Sequence, residues 1–138
     1  MPETTTAARP ASLTADAAGL AVIFLVSGVA HLVRPEFFEP IVPHLMPYKR
    51  QLVHVSGVAE ILCGLSLLAR PTRRVAGLAS AALLVAVFPA NVQMTADHAR
   101  RASRRGDGPS RAMFAGTVAR LPLQWPMIRA ALRAAGRG

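Results

Sequence analysis

The chain has 138 residues, is 52% hydrophobic and carries a formal net charge of +9, with nearly all of its 16 Lys and Arg set between long uncharged runs. That segregation argues against an ordinary soluble domain and for membrane spans joined by basic loops, which would meet anionic head groups. A lone cysteine, Cys63, allows neither an internal disulfide nor a CxxC pair, the four histidines form no closely spaced zinc set, and the scattered basic residues carry no nucleic-acid recognition motif.

Residues 1–16, MPETTTAARPASLTAD, lack periodicity and are expected to be a disordered N-terminal tail. Residues 17–33 form an uncharged run ending in Gly28 and His31, long enough at about 1.5 Å per residue to cross most of a hydrocarbon core. A cleaved signal peptide is the rival reading, because Gly28-x-Ala30 loosely resembles a cleavage site. Against it, the leading region holds only Arg9 and further spans follow. Residues 34–50, RPEFFEPIVPHLMPYKR, contain Pro35, Pro40, Pro43 and Pro47, which exclude a regular helix. Their apolar side chains, Phe37, Phe38 and Ile41 among them, need cover. An interfacial loop across the bundle mouth is expected, with Tyr48 and Lys49 at head-group level.

The second span, 52–69, holds Glu60 almost at its centre. An unpaired carboxylate at mid-bilayer costs about 3 kcal/mol on insertion scales, so Glu60 should face protein, water or a partner. The third span, 75–94, offers a small-residue face at Gly77-x-x-x-Ala81 and a kink at Pro89. Residues 95–112 carry Arg100, Arg101, Arg104, Arg105 and Arg111 around Gly106-Asp107-Gly108-Pro109. They read as a flexible basic loop, with a surface helix as far as Arg105 as the alternative. Residues 113–131 are expected to form a short, bent fourth span interrupted by Arg120, Pro122 and Pro126, before a basic tail over 132–138.

The expected fold is therefore all-α, a four-transmembrane-helix up-down bundle with a Pro-rich interfacial loop between helices 1 and 2. Tracking direction through such a bundle puts His31, His54 and Asn91 near one membrane face. Glu60 lies at mid-depth, Arg120 about 10 Å below that same face and Gln124 one turn deeper. A polar pocket of Glu60, Arg120, His31, Asn91 and Gln124 is the functional reading, with Arg120 as the natural partner of Glu60. The structural alternative is a Glu–Arg pair that only fixes helix register. Gly57, Glu60 and Gly64 share one face, so a neighbouring helix or a ligand can come close to the carboxylate. Orientation stays open under the positive-inside rule, with seven basic residues on one side and eight on the other.

The ordered set Gly28-x-x-His31, Pro35, Phe38, Val42-Pro43, Ser56-Gly57-Val58-Ala59-Glu60 with Gly64, Phe88-Pro89-Ala90-Asn91 and Arg120-Leu121-Pro122-Leu123-Gln124 resembles the DoxX-like family of small four-helix membrane proteins, over about residues 19–130. The resemblance implies a multi-pass cell-membrane protein linked to membrane redox systems. Relatives include a thiosulfate:quinone oxidoreductase subunit and proteins that work with soluble oxidoreductase partners. Dithiol chemistry known in relatives does not carry over to a chain with Cys63 alone. A quinone or lipid ligand in the pocket does, with Arg120 or His31 donating to a carbonyl oxygen and Glu60 handling a proton. The expectation is thus a binding or accessory subunit. Its alternatives are a quinone-linked oxidoreductase subunit or a small transporter or channel, and a homo-oligomer is compatible with each.

Overall fold

The computed structural model describes residues 13–136, and these are mostly helical with no strand among them. Five helices follow in order: α1 (Ala15–Val33), α2 (Lys49–Leu68), α3 (Arg73–Arg105), α4 (Gly108–Arg120) and α5 (Gln124–Ala134). Of the expected tail, residues 1–12 lie outside the described residues. Thr14 caps α1, its hydroxyl accepting from the Ala17 amide at 3.2 Å, and Asp16 complements the dipole in the first turn.

Small residues decide how α1 meets α2. A Cβ at Gly28 would lie 2.6 Å from the Gly57 carbonyl oxygen, and one at Gly64 would lie 3.0 Å from that of Ala21. Backbones this close leave room for glycine alone. The turn into α3 is closed by Arg73, which is buried and donates from Nε to the Leu67 carbonyl at 2.8 Å and from Nη2 to that of Leu68 at 2.9 Å. Thr72 adds a bond to the Ser66 carbonyl. The last carbonyls of α2, which have no helical partner, are satisfied by these side chains.

The basic stretch after residue 94 differs from the expected flexible loop. α3 continues for 33 residues, about 50 Å, and carries Arg100, Arg101, Arg104 and Arg105 well past a hydrocarbon core of about 30 Å. Alanine and arginine are strong helix formers, and Asp97 pairs with Arg100 one turn on at 3.3 Å. Pro89 interrupts one hydrogen bond without ending the helix. Gly106 ends it, at φ 65°, with its amide bonded to the Ala102 carbonyl.

One residue later Asp107 caps α4, accepting from the Ser110 amide at 2.8 Å. The Ser110 side chain, and after it that backbone bond, hold the Asp107 carboxyl below the ordinary aspartate range. A lowered pKa means the cap stabilises α4 above the unfolded value and is lost as pH falls through the folded one. Acidification below the ordinary aspartate value is therefore expected to fray the first turn of α4. An NMR titration of the Ser110 amide should show it, and Asp107→Ala should remove the pH dependence.

The expected fourth span over 113–131 is two helices. Pro122 has no N–H for the Val118 carbonyl, which accepts from Leu121 instead at 3.2 Å. The chain turns over residues 121–123 and restarts as α5, where Pro126 falls in the tolerant first turn. α1, α2 and α3 are long and apolar enough to cross a membrane, whereas α4 and α5 have 13 and 11 residues.

α1 packs on α2, α2 on α3, α3 on both α4 and α5, and α5 back on α1. The shared core is narrow and alanine-rich, built from Leu20, Ala21, Phe24, Leu67, Ala76, Ala81, Leu84 and Ala131. Polarity is inverted relative to a water-soluble domain. Glu60, Ser80, Thr117 and Gln124 are buried, while Val22, Val26, Val55, Leu62, Val75 and Val85 are each more than half exposed.

Candidate intramembrane polar site

Val53, Gly57, Glu60, Gly64 and Leu67 are the buried residues of α2, spaced three and four apart on one stripe. Glu60 faces the core because it sits on that stripe, and it is only 8% exposed. His31 of α1 stands against it, with Nδ1 at 3.5 Å from Oε2. The absent side chain at Gly57 makes this possible, since a Cβ there would stand 2.7 Å from the His31 Cβ.

His31 Nδ1 lies 2.7 Å from the Ser27 carbonyl oxygen, one helical turn back. A carbonyl only accepts, so Nδ1 carries the proton and a neutral ring leaves Nε2 as an acceptor. Phe38 stacks on the imidazole with ring centroids 3.8 Å apart and planes 21° apart. It lies between two short 3-10 turns, Pro35–Phe37 and Glu39–Ile41, in the Pro-rich segment. The first turn packs on α1 and α2 and the second on α2 and α3, so this segment covers the histidine.

The carboxyl group of Glu60 is incompletely satisfied. Ser27, His31 and Arg120 are the polar groups that act on it. Even so, Oε2 is buried and accepts no hydrogen bond. The Nδ1 hydrogen facing it is committed to the Ser27 carbonyl. A buried oxygen in this state is free to accept from an added donor.

The expected pairing of Glu60 with Arg120 takes a different form. Arg120 donates to the Gln124 side-chain oxygen at 3.2 Å and acts on Glu60 at a distance. Gln124 is buried and donates in turn to the Leu84 carbonyl of α3, next to Val85, whose carbonyl Pro89 leaves without its i+4 donor. These two residues therefore tie the α4–α5 break to the turn of α3 that precedes Pro89. Asn91 is half-buried, and its backbone carbonyl accepts from Thr95 at 3.0 Å. The structure shows no side-chain bond from it to the Glu60 cluster. The expected five-residue pocket thus resolves into a His31–Glu60 pair and an Arg120–Gln124 tie.

Sequence reasoning missed Ser27, whose signal was its place one turn before His31, and passed over Phe38 as a partner. It also missed Gln93, whose buried Nε2 lacks a hydrogen bond. Cys63 lies beside Ser80 within the field of Glu60. No group of three His, Cys, Asp or Glu among the described residues could hold a metal ion. Two prominent open cavities lie elsewhere, one between α1 and α5 and one among the arginines at the end of α3.

An imidazole and a carboxyl group side by side, both largely withdrawn from solvent, can exchange a proton and can bind a ligand oxygen from two sides. Comparison with known proteins adds the lineage. Residues 20–135 match the family model described as a domain of unknown function, DUF8561. The chain belongs to that family. The match runs from within α1 to just past α5, so the long α3, the α4 hairpin and the polar site all fall inside the DUF8561 domain. No curated protein and no solved structure matches the chain.

Proposed function

We propose that this DUF8561 protein is a multi-pass cell-membrane protein of the DoxX-like type and serves as a binding or accessory subunit of a membrane redox system. In this reading α1, α2 and α3 are three positions of an up-down bundle, and α4 with α5 fills the fourth. The inverted polarity supports membrane embedding: aliphatic side chains lie outside and polar ones inside. The closed order of helix contacts supports the bundle.

The observation that carries the binding role is the Glu60 carboxyl, buried near the middle of a span with Oε2 lacking a donor. The group that suits it is a small amphiphile bearing a hydroxyl or carbonyl oxygen, and a quinone–quinol couple has both. A quinol hydroxyl would donate to Oε2 once the Phe38-covered histidine gives way. His31 then accepts or returns a proton at Nε2. The arginines of α3 beyond the membrane are the docking surface for a soluble oxidoreductase.

Mass spectrometry of small molecules extracted from protein purified in mild detergent tests the binding role. Wild type is expected to enrich a quinone or quinol, and the Glu60→Gln/Arg120→Met double variant to lose it. Equal recovery from both, or none from either with both folded, would sink this reading and make the cluster helix-packing glue.

A further inference from the structure

The groove between α1 and α5, about 380 Å³, lies apart from the polar site. Its walls are Leu20 and Ile23 on one side and Trp125 and Met127 on the other. Gly19 opens its floor, where a Cβ would meet nothing within 4 Å. At the mouth, Arg133 bonds Asp16 at 2.6 Å and so closes α5 onto the start of α1.

Arg129 stands on the same edge. Trp125, Arg129 and Arg133 are spaced four apart, so all three share one stripe of α5. At helical rise Arg129 is about 6 Å deeper than Arg133, within reach of the interface for a side chain that snorkels. It is exposed and makes no hydrogen bond or ion pair among the described residues, unlike Arg133.

An apolar trough about 10 Å deep along the helices, with an unpaired cation on its edge that can snorkel to the surface, has the polarity of a single phospholipid. We propose that the groove seats an acyl chain of an anionic phospholipid whose phosphate is held by Arg129. A zwitterionic lipid fits less well, because its ammonium group would stand beside Arg129 and Arg133. The site rests on the membrane reading above but not on the quinone role.

Native mass spectrometry of delipidated protein tests it, with palmitoyl-oleoyl phosphatidylglycerol against phosphatidylcholine of the same chains. Wild type is expected to retain the anionic lipid about fivefold better, the size one arginine near a charged surface supplies. Arg129→Gln should erase that preference. Gly19→Leu, whose side chain grows into open space, should remove tight retention of both lipids without lowering the melting temperature. Glu60→Gln should leave retention unchanged. A wild type without preference, or variants that retain the lipid as wild type does, would overturn the proposal. So would a Gly19→Leu that changes the dimer fraction in place of lipid retention, since a second copy would then occupy the groove. Release of the chain from membranes by alkaline carbonate would instead overturn the membrane reading itself.

Discussion

Gly57→Leu is expected to abolish the folded bundle. The Cβ alone would stand 2.7 Å from the His31 Cβ and 2.9 Å from the Gly28 carbonyl oxygen, and neither neighbour is the far end of a flexible side chain. Relief requires α1 and α2 to move apart. That movement also separates His31 from Glu60 and loosens the next close approach at Gly64. Overpacking a tight core costs about 1–3 kcal/mol and occasionally more, and a leucine set against two backbone-fixed neighbours is at the upper end. Gly57→Ala is the milder probe: alanine gains about 1 kcal/mol over glycine in an exposed helix, and here the clash reverses that sign. Gly19→Ala and Gly116→Ala, where a Cβ meets nothing, should keep or raise stability. Thermal melts in detergent followed by size-exclusion chromatography read all four. A Gly57→Leu protein that melts with wild type would mean that α1 and α2 do not touch there.

The same glycines show why part of this architecture is legible from sequence. Gly57, Glu60 and Gly64 mark one face at helical spacing, and the face predicts a close neighbour whichever helix supplies it. The neighbour's identity and register are tertiary facts. Gly28 pairs with Gly57, and so His31 meets Glu60, because α1 returns directly into α2 through the Pro-rich segment. Local spacing gives no means of ranking His31 above Arg120, and charge alone favours the arginine. Arg120 goes elsewhere because Pro122 breaks its helix, and Arg120 pairs with Gln124, which bonds the Leu84 carbonyl of α3. A helix as far as Arg105 is the alternative reading, and its continuity with α3 is harder to see for a different reason. A run of arginines ends an apolar pattern without ending a helix, and the stop signal is Gly106 followed by the Asp107 cap. Polarity marks where an apolar run ends. Caps mark where a helix ends, and in α3 the two lie a dozen residues apart.

Glu60→Leu is expected to leave the bundle as stable as wild type or more so, while ligand retention is lost. Oε2 accepts no hydrogen bond, so a leucine of similar volume removes few favourable polar contacts and relieves the cost of holding a carboxyl group out of water. His31 survives the change without an orphaned donor, because its Nδ1 hydrogen is already given to the Ser27 carbonyl. Replacing a buried pair by apolar packing is often neutral or stabilising by about 1–4 kcal/mol, whereas stripping one partner from a pair that needs it costs about 3–5 kcal/mol. These two ranges have opposite sign, so one thermal melt separates them. If Glu60 ties α1 to α2, Glu60→Leu destabilises by the larger figure and Glu60→Gln, which keeps an acceptor oxygen near His31, restores much of it. If Glu60 is kept for a ligand, neither variant lowers the melting temperature and both lose the bound molecule. On the proposed binding role Glu60 costs the fold something and contributes no bond at Oε2, and stability measured without ligand is where that difference is largest.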